Sequence, residues 1–262
     1  METRAKIGRL SQRLSAVAEF VSPGMRLCDV GCDHAHLCIQ LVKEGWVPAA
    51  IAVDVGEGPL RIARENIRNA DLSNLVETRI SNGLSAVQKG EAESIVLAGM
   101  GGRLISELLS KGADVALAAR EWVLQPQSDV DIVRRLIRES GFRIWDEALV
   151  LERGKYYPII KAVAGSEEGM EAVEDRFGPV LLQRRHPLLL QYLASETQML
   201  AGLLPLIEGK NDESSRRIVR EWELVQRARI LVGMGSDGTD KTARILAGMR
   251  SDGTDTAAEG NQ

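Results

Sequence analysis

The sequence predicts an α/β fold in which a mostly parallel, doubly wound sheet is followed by a helical appendage. Three observations predict it. Short apolar runs alternate with amphipathic segments from residue 25 to residue 139, the pattern of βα units laid into a parallel sheet. The first two runs close on Asp29-Val30-Gly31 and on Asp54, and ligands of open α/β sheets sit where strands hand over to helices. Beyond Gly165 the apolar spacing becomes helical, with Leu181, Leu182, Leu188, Leu189, Leu193, Met199, Leu200, Leu203 and Leu204 as core candidates.

Leu10, Leu14, Val17, Ala18 and Val21 recur at helical spacing, so about the first 20 residues form an amphipathic helix. Lys6, Arg9 and Arg13 lie on one flank of it, either as a solvated edge or as an edge that contacts phosphate. Ser22-Pro23-Gly24 stops the helix and launches a strand over Met25–Val30. A helix over 35–44 and a buried strand over 48–54 follow. Next come a helix over 59–70 and a strand over 76–80 that ends at the turn Ser81-Asn82-Gly83. A fourth strand, 94–98, runs into Gly99-Met100-Gly101-Gly102 and a helix marked by Leu104, Ile105, Leu108 and Leu109. Strand 122–126 and helix 130–139 complete what reads as five βα units. Two β-rich runs, 142–151 and 156–164, joined at Glu152-Arg153-Gly154-Lys155, close the sheet as an antiparallel pair.

This organisation predicts a sheet domain over 1–165, a helical domain over 166–230 and a disordered tail over 231–262. In the helical domain Gly178-Pro179 and His186-Pro187 act as punctuation, and the polar turn at 209–213 separates two longer helices of an αα-hairpin. The tail duplicates itself: Ala228-Arg-Ile-Leu recurs as Ala243-Arg-Ile-Leu, a period of 15 residues (243 minus 228). Two copies are too few for a solenoid.

The net charge of −4 gives no global attraction to nucleic acid, so local charge decides. From Arg176 to Arg229 there are nine Lys/Arg against six Asp/Glu, a balance of +3 (nine minus six). Arg184, Arg185, Arg216, Arg217 and Arg220 carry most of it and are the candidate contacts to a polyanion. Met1–Gly8 has no apolar core of a signal peptide, and no run is long and apolar enough to span a bilayer. Cys28, Cys32 and Cys38 are odd in number and close together, which points to a reducing, cytoplasmic setting. Their C-x3-C spacing, with His34-x-His36 between, matches no standard zinc pattern, so no metal is expected and the thiols are read as buried and reduced.

The turn after the first strand carries Gly31, Cys32, Asp33, His34 and His36. Asp54 lies 23 residues beyond Gly31 (54 minus 31), the spacing at which an acid on the second strand reaches a ribose. A dinucleotide would need G-x-G-x-x-G around its pyrophosphate, whereas this turn offers one glycine and an acid that would repel one. S-adenosylmethionine carries a sulfonium, an ammonium and a ribose but no phosphate. The carboxylates of Asp29, Asp33 and Asp54 therefore favour it over NAD.

Asp29-Val-Gly-Cys-Asp-His-Ala35, Ser81-Asn-Gly-Leu84, Ala98-Gly-Met-Gly-Gly102 and Leu124-Gln-Pro126 together resemble the motif set of the bacterial tRNA adenine-22 N1-methyltransferases, the TrmK family. The likeness runs to about residue 230, with Cys32, Asp54, His36 and Cys38 standing where that family tends to Ser, Glu, Tyr and Pro. The resemblance implies a class I S-adenosylmethionine-dependent methyltransferase fold, Rossmann-like, with a seven-stranded sheet and an antiparallel last strand. It also implies a coiled-coil-like C-terminal domain that helps bind tRNA, and a catalytic role for Asp33, whose alternative reading is a helix cap. The candidate cofactor contacts are Asp29, Gly31, Cys32 and His34 in the first turn, and Asp54 and Val55 at the second strand. Asn82, Gly83, Gly99 and Met100 complete them at the third and fourth strands. Gly101 and Gly102 would admit the flat target base, with Met100 packing on its face. tRNA is the one partner expected; no obligate protein partner is evident. Rival readings are a small-molecule methyltransferase on the same fold, a non-catalytic RNA-binding protein and an NAD-linked oxidoreductase.

Overall fold

The computed structural model describes residues 10–166, 169–210 and 212–235. Lys6, Arg9, the start of the first helix and the tail from residue 236 lie outside the described residues. The chain divides into two compact units, Met1–Gly169 and Met170–Gln262.

The first unit is built on a seven-stranded sheet. Its strands are β1 (Leu27–Val30), β2 (Ala50–Asp54), β3 (Val76–Ile80), β4 (Ser94–Met100), β5 (Glu121–Pro126), β6 (Phe142–Glu152) and β7 (Lys155–Ala164). Their spatial order is β3-β2-β1-β4-β5-β7-β6. The first five are mutually parallel, and β7 runs antiparallel to both β5 and β6. The β6–β7 turn is Arg153-Gly154, both with positive φ (51° and 76°), as a type I′ hairpin turn requires.

Helices α1 (Gln12–Phe20), α2 (His36–Lys43) and α3 (Glu57–Asn69) cover one face. Val17, Leu37, Leu41, Leu60 and Ile67 pack there against Ala50, Ala52, Val96 and Val123. Because side chains alternate along a strand, Ile51, Val53, Ile95 and Leu97 serve the other face, where α4 (Gly102–Lys111) and α6 (Val130–Glu139) pack together. A short α5 (Ala113–Ala116), absent from the sequence reading, precedes β5. It takes the Trp122 indole N–H on Ala116 O, 2.8 Å away, while the ring stacks on Phe142 at 3.9 Å.

The expected five βα units reduce to four, because the β3–β4 link carries no helix. Ser81 Oγ accepts from Ala86 N–H and donates to Gly83 O. Arg79 clamps the rest of the link through Glu91 and Ala86 O. Those side-chain ties satisfy the backbone that a helix would otherwise have satisfied.

Glu121, buried at the amino end of β5, accepts from Ser22 N–H, Ser22 Oγ and Ser94 Oγ and pairs with Lys161 at 2.9 Å. Burial alone would push its carboxyl up, but the Ser22 and Lys161 hydrogen bonds outweigh it and hold the carboxyl below its ordinary range.

The second unit consists of α7 (Ala172–Phe177), α8 (Pro179–Gln183), α9 (Pro187–Leu203), a 3-10 turn (Leu204–Leu206) and α10 (Glu213–Leu231). Helices α9 and α10 pack on each other as an αα-hairpin. The starts follow capping rules: Pro187 occupies the first turn of α9 behind His186, and Asp212 accepts from Ser215 N–H at 2.8 Å. Arg176 ties α7 to Tyr192 of α9 and Glu221 of α10 at 3.0 and 3.1 Å.

Candidate active site

Parallel strands leave their carboxyl ends together, and the site grows from four of them, β1 to β4. After β1 the chain turns sharply, and Gly31 N–H and Cys32 N–H both donate to Val53 O of β2, at 2.8 and 3.0 Å. Gly31 has φ 73°, and a Cβ there would collide with the Met100 methyl from β4. This position therefore requires glycine on both backbone and steric grounds. Two non-glycine residues of the same turn, Asp33 (φ 52°) and Ala35 (φ 59°), are also left-handed, a conformation that costs about 1–3 kcal/mol each and concentrates at functional sites.

Asp54, at the end of β2, holds the turn from below. Its Oδ2 accepts from Asp33 N–H at 3.3 Å and its Oδ1 from Gly56 N–H at 2.9 Å. Next to it, Val55 and Ile80 are 68% and 56% exposed; Ile80 pairs with Asp54 in the sheet. Two exposed aliphatic side chains beside a half-buried carboxylate form an apolar edge suited to a flat ring. Asn82 is exposed just beyond, while Gly83 is buried, with φ 63° and a Leu108 methyl where its Cβ would sit. Ile80 escaped the sequence reading because an alternating strand conceals which apolar residue faces water.

Asp33 projects outward, its side chain 72% exposed, with His34 Nε2 at 3.4 Å as its partner. It caps no helix: the N-cap of α2 is Ala35, which has no side-chain hydrogen bond. The capping alternative for Asp33 is therefore excluded. His34 turns its other nitrogen, Nδ1, into a buried position without a hydrogen-bond partner. Asn66 fixes the His34 backbone through its carbonyl at 3.1 Å, and His36, exposed, meets the His34 ring edge-on at 6.0 Å. Cys32 is buried behind the turn, and all three thiols are free.

Asp29 departs from the expectation of an open acid facing a ligand. It is only 5% exposed, and Cys38 Sγ lies 3.7 Å from its Oδ2. Burial first, and then the charges of Asp54 and Asp33, push its carboxyl up to about 7, against the opposing effect of the Cys38 hydrogen bond. Among the described residues none of Asp29, Asp33 and Asp54 pairs with a Lys or Arg.

The β4 end supplies the opposite wall. The strand register shifts between Ala98 and Met100, and Gly99 has φ 81°. Gln125, fully buried on β5, accepts Gly99 N–H at 3.1 Å and Arg13 Nη1 at 2.5 Å on one oxygen, Oε1. This corrects the reading of Arg13 as an outward phosphate contact. Its guanidinium turns in to the sheet edge, 5.6 Å from the Tyr157 ring centroid, because a buried amide there needs a donor. Gln125 entered the sequence reading only within the motif Leu124-Gln-Pro126, with no role of its own, and Tyr157 was not singled out; a glutamine inside an apolar strand is itself a signal. Gly101 and Gly102, expected to admit a base, also have a packing reason. A Cβ on Gly102 would strike the Ser128 and Asp129 carbonyls, and one on Gly101 would lie 3.2 Å from Ser128 Oγ.

The five candidate arginines of the second unit, Arg184, Arg185, Arg216, Arg217 and Arg220, are all exposed but do not form one patch. Arg185 lies beside Gly233, just past the end of α10, whereas Arg216, Arg217 and Arg220 occupy its first two turns. At 1.5 Å per residue the two groups stand roughly 20 Å apart along the hairpin.

Strand order, the reversed β7 and an acid-lined turn at the carboxyl edge define a Rossmann-like methyltransferase. Residues 10–160 match the methyltransferase domain family. The tRNA (adenine(22)-N(1))-methyltransferase of Bacillus subtilis is 29% identical over 85% of this chain and 95% of its own. The structure of Streptococcus pneumoniae Sp1610 is 36% identical, with a TM-score of 0.79 over 84% of this chain and 99% of that one; it has also been solved in complex with S-adenosyl-L-methionine. B. subtilis TrmK, an M1A22 tRNA methyltransferase, superimposes with a TM-score of 0.75 at 28% identity over 86% of this chain and 98% of its own. This chain belongs to the methyltransferase domain family and, within it, to the TrmK family of tRNA (adenine-22 N1)-methyltransferases.

Proposed function

We propose that the protein is a cytoplasmic enzyme that methylates N1 of adenine 22 in tRNA with S-adenosyl-L-methionine as donor. The observation that carries the reading is the acid set of Asp29, Asp33 and Asp54, without Lys or Arg partners among the described residues, beside the apolar edge of Val55 and Ile80. That set fits a cationic, phosphate-free nucleoside. Asp54 would take the ribose, and Val55, Ile80 and Asn82 would flank the cofactor's adenine. The bound cofactor supplies an electrophilic methyl group on a sulfonium.

Neutral adenine N1 carries its own lone pair, so no base is needed to make the nucleophile. Methylation leaves a positive charge on the ring. The outward Asp33 carboxylate stabilises that charge as it develops or accepts a proton from N6. N1 lies on the Watson–Crick edge, so the target base must be unpaired or extruded. Binding beyond the pocket then falls to the two arginine groups of the helical unit, through phosphate neutralisation. Mapping methylation by mass spectrometry on tRNA incubated with the protein and labelled cofactor tests the reading. Label at N1 of adenine 22 is expected. Label appearing only on small molecules would overturn it.

Asp29 predicts a pH dependence. Its folded value is raised to about 7 from an ordinary 3.8. Between those values the folded state holds a proton that the unfolded state has released, so stability declines as pH rises through that window and levels off above it. A cationic ligand favours the ionised form. Affinity for S-adenosylmethionine should therefore rise between pH 6 and pH 8, and Asp29→Asn should flatten the profile. Calorimetric titrations across that range check it; a flat wild-type profile would contradict the role.

A further inference from the structure

Methylation at N1 places the Watson–Crick edge of the target adenine against the methyl donor. Base identity must then be read on what remains exposed, the N6 and N7 positions. A carboxamide is the side chain matched to that pair, since its oxygen accepts from N6–H while its nitrogen donates to N7. Two glutamines flank the end of β5. Gln125 is committed, because its oxygen holds Gly99 and Arg13 and its Nε2 donates to Pro126 O at 3.0 Å.

Gln127 is different. It is exposed at the carboxyl edge, and its backbone N–H is fixed to Met100 O at 2.8 Å. A Cβ placed on Gly99 would lie 3.7 Å from Gln127 Nε2 and 3.4 Å from Arg13 Nη1. The carboxamide therefore borders the Gly99 turn on the side opposite the acids. Among the described residues it has no hydrogen-bond partner.

We propose that Gln127 reads the target base, pairing through its carboxamide with N6 and N7 of adenine. The inference rests on the reading of this protein as an adenine N1-methyltransferase. It has a catalytic corollary: N6–H becomes a stronger donor as N1 gains positive charge, so the contact to Gln127 Oε1 tightens in the transition state.

The test uses the full chain, S-adenosylmethionine and two tRNA transcripts, one with adenosine and one with 7-deazaadenosine at the methylated position. For the wild type, removing N7 should lower kcat/KM by about tenfold. Gln127→Ala should lose about tenfold or more on adenosine, with no further loss on 7-deazaadenosine, because the partner of N7 is already gone. Cofactor affinity and melting temperature should stay at wild-type values, since the side chain is exposed. A wild type indifferent to N7, or losses that multiply in the variant, would overturn the proposal. A wild type that methylates neither transcript would instead overturn the tRNA reading, and this proposal with it.

Discussion

In Asp33→Asn, methylation turnover falls by about 10²- to 10³-fold while affinity for S-adenosylmethionine stays within a few-fold of wild type. Asparagine is the informative replacement because residue 33 has φ 52°. Asn tolerates that left-handed conformation nearly as well as Asp, whereas Ala adds a backbone cost of about 1 kcal/mol. The Asp33 N–H that anchors the turn to Asp54 survives in either variant. The substitution thus removes a charge and leaves the turn in place. The side chain is mostly exposed, its partner is His34, and it caps no helix, so stability should be near wild type. Single-turnover methylation of tRNA and cofactor titration on the same preparation separate the two effects. Turnover within threefold of wild type would refute catalysis by Asp33. An equal loss of cofactor affinity would make it a cofactor contact instead.

The strands were legible because each is a short apolar run closed by glycine or a carboxylate. β3 and α6 coincide with the sequence reading at both ends. The acid–glycine constellation at β1 and β2 was legible for the same reason, since strand ends in a parallel sheet converge whatever lies between them. Two kinds of feature stayed hidden. One is the inward turn of a charged side chain. Arg13 reads as a flank of an amphipathic helix, and only the buried Gln125 oxygen 112 residues away explains its direction. The other is the depth of a carboxylate. Asp29 and Asp54 both sit near the ends of buried strands, yet Asp29 is enclosed and Asp54 is half open, because Asp29 lies one residue deeper and faces Cys38 of α2. The absent helix after β3 was hidden in a similar way, since the ties that replace it run through Ser81 and Arg79. Spacing along the chain carries no record of such side-chain pairs.

One such pair governs stability. Arg134 of α6 and Glu147 of β6 are 1% and 0% exposed, with Nε–Oε1 at 2.8 Å. Nothing in the periodicity marks them, for each reads as one charge on an amphipathic element. Removing one partner strips a charge that stays buried of this ion pair, which costs about 3–5 kcal/mol. Arg134→Met should therefore lower the melting temperature of the sheet unit by roughly 6–20 °C. Three of the four tryptophans, Trp46, Trp122 and Trp145, lie in that unit, so fluorescence-detected urea unfolding of the full chain reports mainly on it. The double variant Arg134→Met/Glu147→Leu removes both charges and fills the space with apolar atoms. It should recover most of the loss, because the desolvation of two ions disappears together with their attraction. If the single variant unfolds within 1 kcal/mol of wild type, water or another side chain already compensates the pair. If the double variant is no better than the single, α6–β6 packing rather than charge sets the stability at this interface.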